Sequence, residues 1–175
     1  LVDTLGEEVE WYKIGPLLFT QHGTEVIDFL HRRSKKIFVD LKLHDTPSVV
    51  EQTLRQFIDL GIQFSTVHCL GGETMLNAAQ QACRGSQLSL LGVTLLTSSK
   101  KSDLESFGWE EEPANAVTRL VKLAVKTRLA GVMCSPHELA QVKPLVPRGF
   151  ALVTAGIRIP DQAIYDDDQV RKATA

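Results

Sequence analysis

Short apolar runs alternate with longer amphipathic stretches along most of the chain. The apolar runs are rich in β-branched and aromatic residues, as buried parallel strands are. The stretches between them have the apolar periodicity of helices that cover a sheet. The predicted strands are Glu10–Ile14, Lys36–Leu41, Phe64–His68, Leu88–Leu96, Ala130–Cys134 and Phe150–Thr154, and the predicted helices are Thr24–Arg33, Ser48–Leu60, Gly72–Arg84, Pro113–Thr127 and Pro136–Val142.

Strands that alternate with helices in this way predict βα units and a parallel sheet. Six such units are visible, and no linker, repeat or low-complexity segment divides residues 1–175, which predicts a single domain. Periodicity alone leaves two architectures open. A doubly wound sheet can close with six strands, whereas a (β/α)₈ barrel needs two more strands and typically about 250 residues.

Composition narrows the class of protein. Hydrophobic residues make up 43% and charged residues 23% of the chain, and the net charge of -2 gives no basic field for nucleic acid. No apolar run approaches the roughly 20 residues that a membrane helix needs. The three cysteines lack C-x-x-C spacing, which argues against a disulfide framework or a cysteine zinc site. We therefore predict a cytoplasmic metabolic protein that binds neither nucleic acid nor membrane.

The most unusual stretch, Ile37–Pro47, places charged residues directly after an apolar strand. Strand alternation puts Asp40 and Lys42 on one face, and Asp45 follows shortly after. Lys13 lies near the end of the first predicted strand. Because parallel α/β proteins bind ligands at the carboxyl ends of their strands, we expect an array of two ammonium groups and two carboxylates there. A surface salt bridge is the simpler alternative for a D-x-K spacing.

Several segments of the chain match one known family in sequence order. They are Tyr12–Gly15, Asp40–Pro47, Thr66–His68 with Gly71 and Gly72, Val93–Ser98, Val132–Glu138, and Thr154–Arg158 followed by Asp168–Arg171. Together these segments resemble the bacterial type of orotidine 5′-phosphate decarboxylase. The resemblance implies a (β/α)₈ TIM barrel, seen here without its first strand, which carries a substrate-binding aspartate, and without its last, which carries a Gly-Arg phosphate contact. We therefore expect the native chain to extend before Leu1 and beyond Ala175.

The same resemblance implies roles for individual residues. Lys42 would protonate the carbon that loses CO₂, Asp40 would lie against the substrate carboxylate, and Lys13 would hydrogen-bond the ribose and Asp40. Asp45 would enter from the partner subunit of a homodimer with shared active sites. The remaining contacts would be Thr46 and Pro47 at the ligand, Thr97 and Ser98 at the pyrimidine, and Arg158 and Gln169 at the phosphate.

The implied activity is the conversion of orotidine 5′-monophosphate to uridine 5′-monophosphate and CO₂ in pyrimidine biosynthesis, without a metal or cofactor. Two alternatives remain. A Mg²⁺-dependent sugar-phosphate decarboxylase or aldolase of the same superfamily shares the D-x-K-x-x-D strand but carries an acidic residue near the position of Lys13. The second alternative is a non-catalytic barrel that binds nucleotide phosphates.

Three positions depart from the family pattern. Ser48 and Val49 follow the motif's proline, where an asparagine and a threonine are usual, and Ala155 replaces a proline before Gly156.

The five histidines show no metal-ligand spacing. We interpret His44, which follows Lys42, and His68, which ends a predicted strand, as structural histidines.

Overall fold

Six parallel strands form one sheet in the computed structural model, which describes residues 1–158, 171 and 173–174. Every strand pairs with the strands next to it in sequence, in the order β1 to β6. The strands are β1 Trp11–Ile14, β2 Lys36–Leu43, β3 Phe64–His68, β4 Ser89–Val93, β5 Gly131–Cys134 and β6 Ala151–Thr154, and a separate parallel pair joins β7 Ile157–Arg158 to β8 Ala173–Thr174.

This strand order decides between the two architectures. A doubly wound sheet reverses its order at a switch point, and helices then cover both faces. Here the order never reverses, so right-handed crossovers bring every connection to the same face of the sheet. A sheet wound in one direction is the barrel type, and the prediction of a (β/α) barrel is confirmed.

The helices begin where the sequence supplies start signals. Pro47 and Pro113 open α4 and α7, at a position where a missing N–H leaves no hydrogen bond unmade. The helices are α1 Val2–Leu5, α2 Pro16–His22, α3 Glu25–His31, α4 Pro47–Asp59, α5 Gly72–Cys83, α6 Lys101–Ser106, α7 Pro113–Lys126 and α8 Leu139–Val142.

All six predicted strands are present, with two notable differences in length. Strand β2 continues to Leu43, and β4 ends at Val93, so the apolar residues Leu95 and Leu96 belong to a turn. The predicted helix Pro136–Val142 is a 3₁₀ turn followed by the short α8. The predictions missed α2 and α6, because segments of six or seven residues are too short to show a helical period.

One apolar core lies between the sheet and its helices. Strand residues such as Ile14, Val39 and Val67 pack in a single cluster with the buried sides of α4, α5 and α7. Alternation along each strand then turns the neighbouring residues toward the opposite face. This geometry leaves polar residues at the carboxyl ends of the strands free to form a site. No helix in the described part of the chain is long and apolar enough to span a membrane.

Candidate active site

A bulge in β2 shapes the start of the site. Val39 pairs with Ser65 and Leu43 pairs with Val67, so three residues of β2 lie opposite the single residue Thr66. Lys42 takes up the extra length with a φ of 51°, in the left-handed region that residues other than glycine seldom occupy. The regular alternation predicted for this strand is therefore wrong beyond Asp40. Strained backbone of this kind is concentrated at functional sites.

The Thr66 hydroxyl group holds the bulge together. It accepts a hydrogen bond of 2.8 Å from the backbone N–H of Lys42 and donates one of 2.9 Å to Oδ1 of Asp40. Thr66 is completely buried, so both bonds are shielded from water. One hydroxyl group thus replaces the missing strand pairing and fixes the Asp40 carboxylate.

Two ammonium groups contact Oδ2, the second carboxylate oxygen of Asp40. Lys13 Nζ and Lys42 Nζ each lie 3.0 Å from Oδ2 of Asp40. The Asp40 side chain is 3% exposed, whereas those of Lys13 and Lys42 are 51% and 33% exposed. The predicted proximity of these three residues is confirmed, and both amines project from the buried carboxylate toward solvent.

Burial by itself raises the pKa of Asp40, because a desolvated carboxylate is disfavoured. The hydrogen bonds and positive charges of Lys42 and Lys13 outweigh that effect, and the pKa of Asp40 falls below its ordinary value. Asp40 is therefore ionised throughout the physiological pH range.

A cavity of about 280 Å³ lies next to Lys42, near the lower limit of small-molecule pockets. It brings Lys42 together with Thr97 and Ser98, as the sequence predicts. Burial raises the pKa of Cys134, which also lines the cavity, to about 11, so its thiol is protonated and a poor nucleophile. The other lining residues are Val93, Leu95, Leu96, Met133 and Ala155.

No ion pair within 4 Å joins Asp45 to Lys13 or Lys42, so the predicted array of two ammonium groups and two carboxylates is wrong for Asp45 within one subunit. Asp45 is exposed, and its Oδ1 accepts a hydrogen bond of 2.6 Å from the backbone N–H of Thr46. No ion pair joins Asp45 to any described residue of its own chain. Thr46 and Pro47 form the start of α4. The carboxylate is thus held at the rim, with its charge unpaired within the described part of the subunit.

The predicted phosphate contacts are only partly visible. Arg158 ends β7, beyond β6 and on the carboxyl side of the sheet, and the structure describes its backbone alone. Gln169 lies outside the described residues. Its role as a phosphate contact stays a prediction, and so does that of Arg158.

His44 and His68 stack beside the site, with ring centroids 5.4 Å apart. Nδ1 of His68 accepts a hydrogen bond of 3.3 Å from the backbone N–H of Leu70, which closes the turn after β3. Burial and repulsion from His44 and Lys42 lower the pKa of His68 to about 4. The prediction of a structural histidine at His68 agrees with this neutral, hydrogen-bonded ring.

The fold and the charged cluster together define a (β/α) barrel with a Lys–Asp–Lys site at the carboxyl ends of its strands. A family model, described as Orotidine 5'-phosphate decarboxylase / HUMPS family, matches residues 1–175. The chain belongs to this family. The orotidine 5'-phosphate decarboxylase of Desulfosudis oleivorans is 38% identical over 99% of this chain and 72% of its own length. That of Nitrosospira multiformis is 40% identical over 93% of this chain and 67% of its own length.

Solved structures agree with these relatives. Orotidine 5'-phosphate decarboxylase from Lactobacillus acidophilus matches with a TM-score of 0.76 and 37% identity, over 83% of this chain and 68% of that one. An uncharacterized conserved protein from Geobacillus kaustophilus matches with a TM-score of 0.81 and 30% identity, over 87% and 74% of the two chains. The family model covers both the decarboxylase and the HUMPS branches, whereas the named relatives carry the decarboxylase name.

Sequence reasoning missed the part that Thr66 plays in the site. Its segment was noticed only through the family resemblance, and neither the apolar pattern nor residue spacing predicts that a hydroxyl group bridges a bulge. A register shift depends on the neighbouring strand, so it leaves no trace in β2 itself. The available signal was a run of polar residues, Ser65, Thr66 and His68, within a strand that the alternation of elements predicts to be buried.

We predict that His68 makes the protein less stable in mild acid. The unfolded chain takes up a proton at this residue near pH 6.5, whereas the folded chain does so only near pH 4. Acid therefore favours unfolding, and the free energy of unfolding should fall by about 3 kcal/mol from this group across that window. His68→Asn keeps an acceptor for the Leu70 N–H and removes the titration.

Urea unfolding at several pH values between 4 and 7 measures the effect. His68→Asn should lose less stability than the wild type as the pH falls, while His22→Asn, at an exposed position on α2, should follow the wild type. If the free energy of unfolding fell equally steeply with pH in His68→Asn and in the wild type, the buried ring would be protonated in the folded state.

Proposed function

We propose that this protein decarboxylates orotidine 5′-monophosphate to uridine 5′-monophosphate. The observation that carries the proposal is the buried Asp40 carboxylate, held between Lys13 and Lys42 at the edge of a cavity lined by Thr97 and Ser98. Membership of the family and the names of the relatives support the same activity. The relatives' names favour neither the Mg²⁺-dependent sugar-phosphate enzyme nor the non-catalytic barrel.

The reaction breaks the bond between the ring carbon and the carboxylate carbon. CO₂ leaves, and the electron pair stays on the ring carbon in an orbital that does not overlap with the ring π system. Electrostatic stabilisation by a fixed cation is then the most effective help that a protein can give. The Lys42 ammonium group stabilises the developing charge, transfers a proton to the carbon and regains one from solvent.

Asp40 serves this step in two ways. Its carboxylate accepts a hydrogen bond from Nζ of Lys42, which fixes the position of the amine. In this proposal it also lies against the substrate carboxylate, so the two like charges repel each other until neutral CO₂ departs and the negative charge passes to the ring carbon. Lys13 Nζ donates to the same Oδ2 atom. In this proposal it limits the repulsion and hydrogen-bonds the ribose.

We expect Lys42→Ala to lower turnover by about a thousandfold or more, which corresponds to about 4 kcal/mol of transition-state stabilisation. Binding of uridine 5′-monophosphate should weaken far less, because the phosphate and pyrimidine contacts remain. The matched control is Lys36→Ala, which removes an exposed lysine from the opposite end of β2, where it pairs with Glu10.

Ultraviolet absorbance of the pyrimidine follows the reaction, and calorimetry measures binding of the product. Lys36→Ala should keep nearly all wild-type turnover, and wild-type turnover should survive EDTA. Loss of turnover in EDTA would favour the Mg²⁺-dependent alternative. Tight product binding by a wild-type protein without turnover would favour the non-catalytic barrel.

We further propose that two copies of the chain form a homodimer in the cytoplasm and share their active sites. Asp45 has no ion-pair partner among the described residues of its own subunit and stands exposed at the rim. Beside it, His44 lines an apolar cavity of about 530 Å³. Leu70, Leu96 and Phe107 in that cavity are 37%, 42% and 75% exposed. A second copy that covers this surface brings Asp45 to the partner's Lys42.

Mixed dimers test the shared site. Lys42→Ala and Asp45→Ala homodimers should both be nearly inactive, because every site carries one lesion. After equal amounts are mixed, about half of the dimers are hybrids, in which one site carries both lesions and the other carries none. About a quarter of wild-type activity should therefore return.

Native mass spectrometry shows whether hybrids form. Hybrids that form and stay inactive would place Asp45 in the site of its own subunit and contradict the shared-site proposal.

A further inference from the structure

Arg171 ties together the turn that follows β4, residues 95–99. Its Nη2 donates hydrogen bonds of 3.0 Å to the carbonyl oxygen of Leu96 and 3.4 Å to that of Leu95. Its Nη1 donates one of 3.2 Å to the carbonyl oxygen of Ser99, and its backbone N–H donates one of 3.1 Å to that of Thr97. One residue thus holds four of the five carbonyl groups of this turn.

An acidic partner holds the guanidinium group in place. Nε of Arg171 lies 3.0 Å from Oε1 of Glu138, and the two side chains are 14% and 4% exposed. The other Glu138 oxygen accepts a hydrogen bond of 2.8 Å from the backbone N–H of Ser135. Ser135 Oγ in turn donates to the carbonyl oxygen of Arg171 at 3.1 Å. These contacts connect the turn after β4 with the end of β5.

The residues that follow Arg171 also contact the strand that carries the proposed phosphate contact. Ala173 donates its backbone N–H to the carbonyl oxygen of Gly156 at 3.0 Å, and β8 pairs with β7. Arg158, the proposed phosphate contact, ends β7. The described residues around Arg171 therefore join two walls of the site that lie far apart in sequence.

We infer that Arg171, held by Glu138, is a positioning residue that sets the turn of Thr97 and Ser98 at the correct distance from Lys42. This inference rests on the proposed function, because that function gives the turn its pyrimidine contacts. Arg171 does not line the cavity next to Lys42, so it acts through the turn.

Arginine suits this task better than lysine does. Its planar fork presents several N–H groups in fixed directions, so it can donate hydrogen bonds to three carbonyl groups while its charge forms an ion pair with a carboxylate. A lysine keeps the positive charge but concentrates it at one nitrogen. Burial raises the pKa of Glu138, and the Ser135 N–H and the Arg171 charge offset only part of that effect. Both contacts thus favour the ionised carboxylate and oppose the effect of burial.

The test compares Arg171→Ala, Arg171→Lys and Glu138→Gln in the decarboxylation assay. Misplacement of a binding group by about 1 Å can lower catalysis by about a hundredfold, so Arg171→Ala should lose about that much kcat/KM. Arg171→Lys should lose about tenfold. Guanidinium ion added at millimolar concentration should restore Arg171→Ala by tenfold or more, because it can occupy the vacated position.

Arg119→Ala is the matched control. Its guanidinium group is exposed, pairs with Glu111 at 2.5 Å and stacks on Trp109. Turnover of this variant should remain within about twofold of the wild type and should not respond to guanidinium ion. Adding Glu138→Gln to Arg171→Ala should cause little further loss if the two side chains act as one unit.

Hydrogen exchange of residues 95–99 gives a readout that is independent of turnover. Faster exchange in Arg171→Ala, with the rest of the protein unchanged, supports the positioning role even if the wild type lacks decarboxylase activity, in which case the proposed function alone fails. The inference would be overturned if Arg171→Ala kept both the wild-type exchange rate of residues 95–99 and the wild-type turnover. It would also be overturned if the variant lost turnover and guanidinium ion did not restore it. If Arg171→Ala does not fold, a folded Arg171→Lys with wild-type kcat/KM would overturn it.

Discussion

The site depends on one buried carboxylate that remains ionised. Removing Asp40 from water carries a large electrostatic penalty, and the protein offsets it with two ammonium groups on Oδ2 and a hydroxyl group on Oδ1. Because both lysines are partly exposed, their attraction to Asp40 is weakened by solvent, and no single pair accounts for the arrangement. The three contacts together fix Asp40, and through it they hold the Lys42 amine in one position at the cavity.

The barrel topology explains how these groups meet. Lys13, Asp40 and Thr66 come from three consecutive strands, and parallel pairing brings the carboxyl ends of those strands side by side. The bulge in β2 then turns Lys42 back toward Asp40. A regular strand would continue its pairing with β3, whereas the left-handed backbone at Lys42 gives up that pairing for a hydrogen bond to Thr66. The strain is local and lies where the proposed chemistry takes place.

Much of the architecture could be predicted from the sequence because buried strands and long amphipathic helices leave a strong periodic signal. The proximity of Lys13 and Asp40 followed from the same reasoning, since strand ends set their positions, whereas Lys42 reaches Asp40 through the bulge and not through regular strand alternation. The bulge and the bridging role of Thr66 could not be predicted, because they arise from contacts between strands. The anchoring of the turn after β4 by Arg171 joins residues more than 70 positions apart and leaves no local pattern.

The central claim is that Lys13 and Lys42 keep the buried Asp40 carboxylate ionised. A ¹³C NMR titration of the Asp40 side-chain carboxyl carbon measures this directly. The account predicts a pKa below the ordinary value of 3.8 in the wild type. It also predicts a clear rise in Lys42→Ala, where burial is opposed by Lys13 and Thr66 alone. A wild-type pKa above 3.8, or the same pKa in both proteins, would contradict it.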